Sequence, residues 1–346
     1  MSSIADTVPL QTKPTSGKTE SYRILKNYID GNWESSHATE FLSVMNPSVG
    51  LKIAEVPLST SKDVDDAVRA AEKAFRTWSA MPIKERAQVF FRYKTLLERN
   101  AQALAELVHE ENGKTLSEAM AEVEKSVEVT EFACSMPQLA SGEILEVSRG
   151  VECRIDRYPL GVVACITPFN FPNMVPNWTI PNALVLGNTM ILKPSEQVPL
   201  TSCMIADLLK EAGLPAGVFN IVNGSQAVVE ALCDHPGIQA VSFVGSTRVA
   251  KIVYTRATSH LKRALCLGGA KNHLIVLPDA SEDMTASNVA ASMSGCAGQR
   301  CMAASAMVAV GDVDRIIQKL CDEARKIIPG TNLGAVISKK AKERIE

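Results

Sequence analysis

The sequence predicts an α/β fold built on a parallel, doubly wound sheet, and three observations carry that expectation. From residue 160 onward, short apolar runs alternate with helical stretches. The runs are apolar nearly throughout, as strands covered on both faces are. The chain has 346 residues and is 46% hydrophobic, enough for a large core, most simply divided into two domains.

The elements follow in order. Residues 1–22 are rich in Ser, Thr and Pro, lack an apolar core and are expected to be a disordered tail. No arginine precedes Arg23, so the segment fits neither a secretory signal nor an Arg-rich transit peptide. Gly17-Lys18-Thr19 matches the end of a phosphate loop, but Thr12 stands where that motif needs its first glycine. Tyr28-Ile29-Asp30-Gly31-Asn32-Trp33 carries a hairpin turn. Val64, Val68, Ala71, Phe75 and Trp78 mark the buried face of a first long helix, which Pro82 stops. A second helix is expected to run to about residue 111, and Thr115 with Glu118 forms a capping box opening a third that ends near Gly142. The strands expected thereafter are Val162–Ile166, Thr189–Leu192, Val218–Ile221 and Ala240–Val244, with helices between them. Ligands on such sheets bind outside the carboxyl ends of the strands.

Composition excludes several function classes. A net charge of −2 offers no footprint for nucleic acid or an anionic membrane. No apolar run reaches the roughly 18 residues a spanning helix needs. Nine cysteines lie scattered without C-x-x-C pairs, which suits reduced thiols in the cytoplasm; a mitochondrial address is left open. The five histidines are equally dispersed, so no metal site is expected.

The motifs that carry chemistry sit at element ends. In Gly298-Gln299-Arg300-Cys301 a cysteine lies beside an arginine, a setting that lowers a thiol pKa and exposes the reactive thiolate. The alternative is a buried structural cysteine, and Cys296 is the next candidate nucleophile. No G-x-G-x-x-G dinucleotide fingerprint occurs. Instead Phe243-Val244-Gly245-Ser246-Thr247 closes a strand and opens a helix, where Gly245 allows close approach and Ser246 with the following N–H groups can receive a phosphate. A plain glycine turn with a serine cap is the other reading. Lys193 offers a cation for ribose or phosphate, and Glu196 can accept ribose hydroxyls while repelling a 2′-phosphate, which favours NAD over NADP.

Together these motifs resemble the aldehyde dehydrogenase superfamily over nearly the whole chain after the tail. Thr167-Pro168-Phe169-Asn170-Phe171-Pro172 is similar to its oxyanion turn, Lys193-Pro194-Ser195-Glu196 and the Gly245 segment to its NAD-binding motifs, and the Cys301 segment to its nucleophile. The resemblance implies an aldehyde-dehydrogenase-like fold: a Rossmann-type NAD-binding domain over 23–144 and 160–270, an oligomerisation hairpin over 145–159, and a partial catalytic domain over 271–346. It implies that Cys301 is the nucleophile and Asn170 an oxyanion donor. Thr167, Phe169, Lys193, Glu196, Gln197, Gly245 and Ser246 would line the cofactor site. The superfamily continues beyond the point matching Glu346, with further catalytic-domain residues and an oligomerisation strand, and forms dimers or tetramers.

One departure narrows the chemistry. Hydrolytic members open an E-L-G-G-K segment with a glutamate base, where this sequence has Leu267-Gly268-Gly269-Ala270-Lys271. A leucine takes no proton, so a thioacyl enzyme would wait for a thiol such as coenzyme A. Ala270-Lys271-Asn272-His273 and the Cys301 segment resemble the CoA-acylating methylmalonate-semialdehyde dehydrogenases, which turn malonate and methylmalonate semialdehydes into acetyl-CoA or propanoyl-CoA. Arg300 is a candidate anchor for the substrate carboxylate, and Lys125 stands where that subfamily has a second arginine. Two other readings stay open at this point: a hydrolytic aldehyde dehydrogenase using another base, and a shortened, non-catalytic nucleotide-binding protein.

Overall fold

The computed structural model describes residues 10–15 and 18–346, and side chains from Tyr22 onward. Strands β1 (Leu10–Thr15) and β2 (Lys18–Ile24) pair antiparallel. The tail expected over 1–22 therefore carries strand backbone, while its residues 1–9 and 16–17 lie outside the described residues. Strand β3 (Asn27–Ile29) and β4 (Asn32–Glu34) form the expected hairpin, with Asp30 and Gly31 at φ 49° and 80°, as a type I′ turn requires. Strand β5 (Phe41–Asn46) pairs with β6 (Leu51–Pro57), and Arg23 and Ile24 of β2 pair with Ala54 and Glu55 of β6. That edge of β6 gives β2 the backbone partners a free tail would lack.

Helix α1 (Ser61–Trp78) buries Val64, Val68, Ala71 and Trp78 as expected, with Phe75 half-buried at the margin. The expected second helix is two: α2 (Ile83–Arg99) and α3 (Ala101–Asn112). Asn100 breaks it, donating its side-chain amide to Leu96 O at 2.8 Å while its backbone turns to φ −104°, ψ 14°. Helix α4 (Leu116–Cys134) opens with the capping box read from Thr115 and Glu118, and a short α5 (Met136–Leu139) follows. Strands β7 (Glu143–Ser148) and β8 (Val151–Ile155) then form a hairpin whose residues are all exposed.

The large sheet comes next. Strand β9 (Val162–Ile166), α6 (Met174–Val185), β10 (Thr189–Lys193), α7 (Leu200–Glu211), β11 (Phe219–Ile221), α8 (Gln226–Asp234), β12 (Ile238–Val244), α9 (Thr247–Ser259) and β13 (Arg263–Leu267) alternate along the chain. The seven strands are ordered β13-β12-β9-β10-β11-β3-β4, with β9 to β13 mutually parallel and the β3–β4 hairpin antiparallel at one edge. Side chains alternate between two cores. Val163, Cys165, Met190 and Leu192 meet the helices from α2 to α7, while Val162, Ala164, Ile166 and Ile191 meet α1, α8 and α9. Both faces are thus covered, which explains the continuous apolar runs.

After Leu267 the chain leaves this sheet. Strand β14 (Asn272–Val276), α10 (Glu282–Ser294), β15 (Ala304–Ala309), α11 (Asp314–Arg325) and α12 (Lys339–Ile345) complete it, with β14 and β15 paired in parallel as a separate sheet. No helix among the described residues is long and apolar enough to cross a membrane.

Candidate active site

Strand order creates the site. From β9 the chain builds outward through β10 and β11, then returns to the other side of β9 with β12 and β13. The carboxyl ends of β9 and β12 therefore flank a topological switch point, where a parallel sheet leaves a crevice. Thr167–Pro172 leaves β9 there, and Gly245-Ser246 leaves β12.

The turn after β9 is pinned from below. Thr167 N donates to Lys193 O at 3.1 Å, and the Asn112 side-chain amide donates to Phe169 O at 2.8 Å. Glu122 Oε1 accepts the N–H groups of Asn173 and Met174 at 2.7 and 3.0 Å. Its carboxylate also pairs with Lys114, both side chains being buried, and the Lys114 ammonium sits 3.7 Å from the Phe171 ring centroid. Reading the sequence missed Asn112, Lys114 and Glu122, because eight residues separate Lys114 from Glu122 across a helix start and no local pattern links them. Glu122→Ala should cost about 3–5 kcal/mol in denaturant unfolding, since it strands a buried ammonium. A loss below about 1 kcal/mol would mean that water reaches Lys114 readily.

The segment that carries the expected nucleophile descends from α10 through a tight turn over Gly295–Gly298, in which Cys296 and Ala297 lie in the left-handed region at φ 53° and 52°. Cys301 follows, half-buried in the wall of a pocket of about 320 Å³. Trp178, Val244, Met302 and, from the end of β13, Leu267 line the same pocket, and no described residue lining it is charged. Asn272 holds the segment, donating its side-chain amide to Cys301 O at 2.8 Å and Ala303 O at 2.9 Å. Asn170 reaches the loop as well, its amide donating to Gln299 O at 2.6 Å. Cys296 is the poorer candidate: it is buried, and burial pushes its thiol up to about 12.

The residues expected to line a cofactor gather along the same sheet edge. Lys193, buried at the end of β10, pairs with Glu196 at 2.8 Å. Burial raises the Glu196 pKa, but the Lys193 charge and hydrogen bond outweigh it, so the carboxyl rests below its ordinary value and is ionised at neutral pH. Gln197 follows in the same loop, half-buried. Ser246 caps α9, accepting Val249 N at 3.5 Å, and is itself exposed. Gly245 has no room for a side chain, because a Cβ there would lie 2.5 Å from the Phe243 ring. Thr167 and Phe169 complete this edge at the start of the turn.

Two expected anchors are not brought to the pocket. Lys125 is exposed on α4 and donates to both carboxylate oxygens of Glu128 at 2.8 Å, one turn along. Arg300 turns its guanidinium back over Gly295, where a Cβ would meet Nη1 at 3.2 Å, and is not part of the pocket lining. Its neighbour Cys301 faces the pocket instead, as does Met302, in a turn closed by the Ala303 N–H donating to Arg300 O at 3.2 Å.

Comparison with known proteins gives a consistent picture. The family model described as "Aldehyde dehydrogenase family" matches residues 33–346. Malonate-semialdehyde dehydrogenase 1 of Geobacillus kaustophilus is 49% identical over 311 residues, covering 90% of this chain and 64% of the relative. Malonate-semialdehyde dehydrogenase of Bacillus pumilus is 47% identical over 330 residues, covering 93% and 68%. Among solved structures, methylmalonate-semialdehyde dehydrogenase of Oceanimonas doudoroffii superposes with a TM-score of 0.90 at 41% identity, over 93% of this chain and 68% of that one. A Sinorhizobium meliloti protein provisionally assigned the same activity, solved with NAD, gives 0.90 at 40% identity over 94% and 68%. The chain spans about two thirds of the length of these relatives.

Proposed function

The chain belongs to the aldehyde dehydrogenase family, and we propose on that premise that it serves NAD-dependent, CoA-acylating oxidation of malonate or methylmalonate semialdehyde. The observation that carries the reading is Leu267, an apolar side chain in the pocket wall that also holds Cys301. Its aliphatic chain can neither take a proton from water nor hold water by a hydrogen bond. The malonate- and methylmalonate-semialdehyde dehydrogenases among the relatives support the substrate class.

The residues divide the work as follows. Cys301 Sγ, as thiolate, adds to the aldehyde carbon, and the carbonyl oxygen becomes an alkoxide. Asn170 Nδ2 and the Cys301 N–H stabilise that alkoxide, which requires the Asn170 amide to leave Gln299 O for the substrate. NAD, when bound, supplies the hydride acceptor. Lys193 and Glu196 would hold its ribose, and Ser246 with the α9 N-terminus its phosphate; the exposed N–H groups at the switch point suit that anion. The substrate carboxylate leaves as CO2, its α-carbon taking a proton from water in its place, and the CoA thiolate resolves the Cys301 thioester, carrying off the acyl group and returning Cys301 as thiolate. Arg300 would receive the carboxylate after swinging from Gly295 into the pocket; Lys125 would serve it only after leaving Glu128.

Further parts of the same reading concern assembly and location. The β7–β8 hairpin, with Ile144 68% and Leu145 64% exposed, would pack on a second copy in a dimer or tetramer. All nine cysteines are free, which fits a reducing, cytoplasmic compartment.

Two tests follow. Mass spectrometry of the products from semialdehyde and NAD, with and without CoA, should find acyl-CoA only when CoA is present; free acid as the main product in both would favour the hydrolytic reading. In cofactor titrations, NADP should bind at least about ten-fold more weakly than NAD, because the ionised Glu196 repels a 2′-phosphate. Glu196→Gln should narrow that gap. NADP binding as tight as NAD would show that Glu196 does not meet the ribose.

A further inference from the structure

The left-handed pair Cys296–Ala297 needs something to hold it. Non-glycine residues avoid this region, each at a cost of about 1 kcal/mol or more. Two such residues stand consecutively, at φ 53° and 52°, a few positions before Cys301. They persist only if their surroundings fix them. The strongest directional contact is to Glu118: the Cys296 N–H donates to Glu118 Oε1 at 2.7 Å, across 178 residues of sequence.

Glu118 is well placed for this. Its other oxygen, Oε2, accepts Thr115 N at 3.2 Å and the Thr115 hydroxyl at 3.1 Å, closing the capping box of α4. One carboxylate thus fastens the loop to the first turn of a helix that is itself pinned by the buried Lys114–Glu122 pair. The loop continues into Gln299, whose backbone oxygen receives the Asn170 amide and whose side chain donates to Cys296 O at 3.0 Å and accepts Ile337 N at 3.1 Å. From Glu118 to the oxyanion donor and to the nucleophile the connection is therefore continuous.

We propose that Glu118 is a positioning residue for the nucleophile: its carboxylate locks the Cys296–Ala297 turn and thereby sets Gln299 and Cys301 in register with Asn170. The proposal rests on the assignment of Cys301 as nucleophile, but its test does not. Glu118 touches no reacting atom; it acts through the Cys296 backbone. The buried Cys296 thiol, within van der Waals reach of Asn112 Oδ1 and Asn170 O at 3.7 Å, reports whether the turn is closed.

The experiment is iodoacetamide labelling of the 346-residue chain with peptide mapping, using the exposed Cys153 as an internal standard. In the unaltered protein Cys296 should label far more slowly than Cys153. Glu118→Ala should raise Cys296 labelling by about ten-fold or more relative to Cys153, the effect of freeing a turn held by one charge-assisted bond. Glu118→Asp keeps an acidic residue in the first turn of α4 but shortens the reach, so it should expose Cys296 even if the alanine variant does not fold. Glu118→Gln keeps an acceptor at the same reach and should hold labelling within about three-fold of the unaltered protein. Thr115→Ala weakens the cap alone and should leave Cys296 protected. Protection of Cys296 in both the alanine and aspartate variants would overturn the proposal, as would equal exposure in Thr115→Ala, which would reduce Glu118 to a helix cap. Failure of Cys301 as nucleophile would show separately, as aldehyde oxidation surviving Cys301→Ala, whatever Cys296 does.

Discussion

Cys301→Ala is expected to lower aldehyde oxidation by about four to six orders of magnitude, the scale on which a covalent nucleophile's removal is felt. NAD affinity should change little, because Lys193, Glu196 and Ser246 belong to other strands and loops. Cys296 offers no substitute: it is buried, its thiol is pushed up to about 12, and its backbone is committed to Glu118. The assay is NADH formation beside a cofactor titration on the same preparation. Substantial residual turnover with intact NAD binding would move the nucleophile away from Cys301. Loss of both would mean that the substitution had damaged the fold.

The second large effect concerns Leu267. Without CoA, the enzyme should release a burst of NADH equivalent to its active sites and then stall, because the pocket wall offers the thioester no base. CoA should restore steady turnover. Leu267→Glu should restore measurable hydrolysis, provided the carboxylate comes within about 3 Å of the attacking water. Partial burial would raise its pKa towards the working range of a base. Steady NADH production in the absence of CoA by the unaltered enzyme would favour hydrolysis through another base.

Much of this could be read from the residues. The strands β9 and β10 announced themselves because both faces are covered, leaving apolar runs such as Val162–Ile166 with no polar position to blur them. The Thr115–Glu118 box was legible because a capping signal is local. Strand β13 was missed, since as an edge strand it alternates exposed and half-buried residues and carries Arg263. The break at Asn100 was missed because the apolar spacing continues across it and the first helix ends on local bonds to Leu96 O from the Asn100 side chain and backbone N–H. At the candidate site, motifs singled out Cys301, Asn170 and Leu267, whereas their fastening was not legible. Asn272, Asn112 and Glu118 act on backbone atoms far away in sequence, at Cys301, Phe169 and Cys296. Backbone partners leave no trace in residue types. Side-chain placement was equally illegible for the expected carboxylate anchors: Lys125 pairs with Glu128 one helical turn away, and Arg300 is not in the pocket lining.

The central claim is that a thioester forms on Cys301 and awaits a thiol. It is tested most directly by mass spectrometry of the enzyme after mixing with malonate semialdehyde and NAD, with CoA left out. The expected result is a malonyl or acetyl adduct on the peptide containing Cys301, persisting for minutes and vanishing when CoA is added as acetyl-CoA appears. An unmodified Cys301 peptide alongside steadily accumulating free acid would contradict the account.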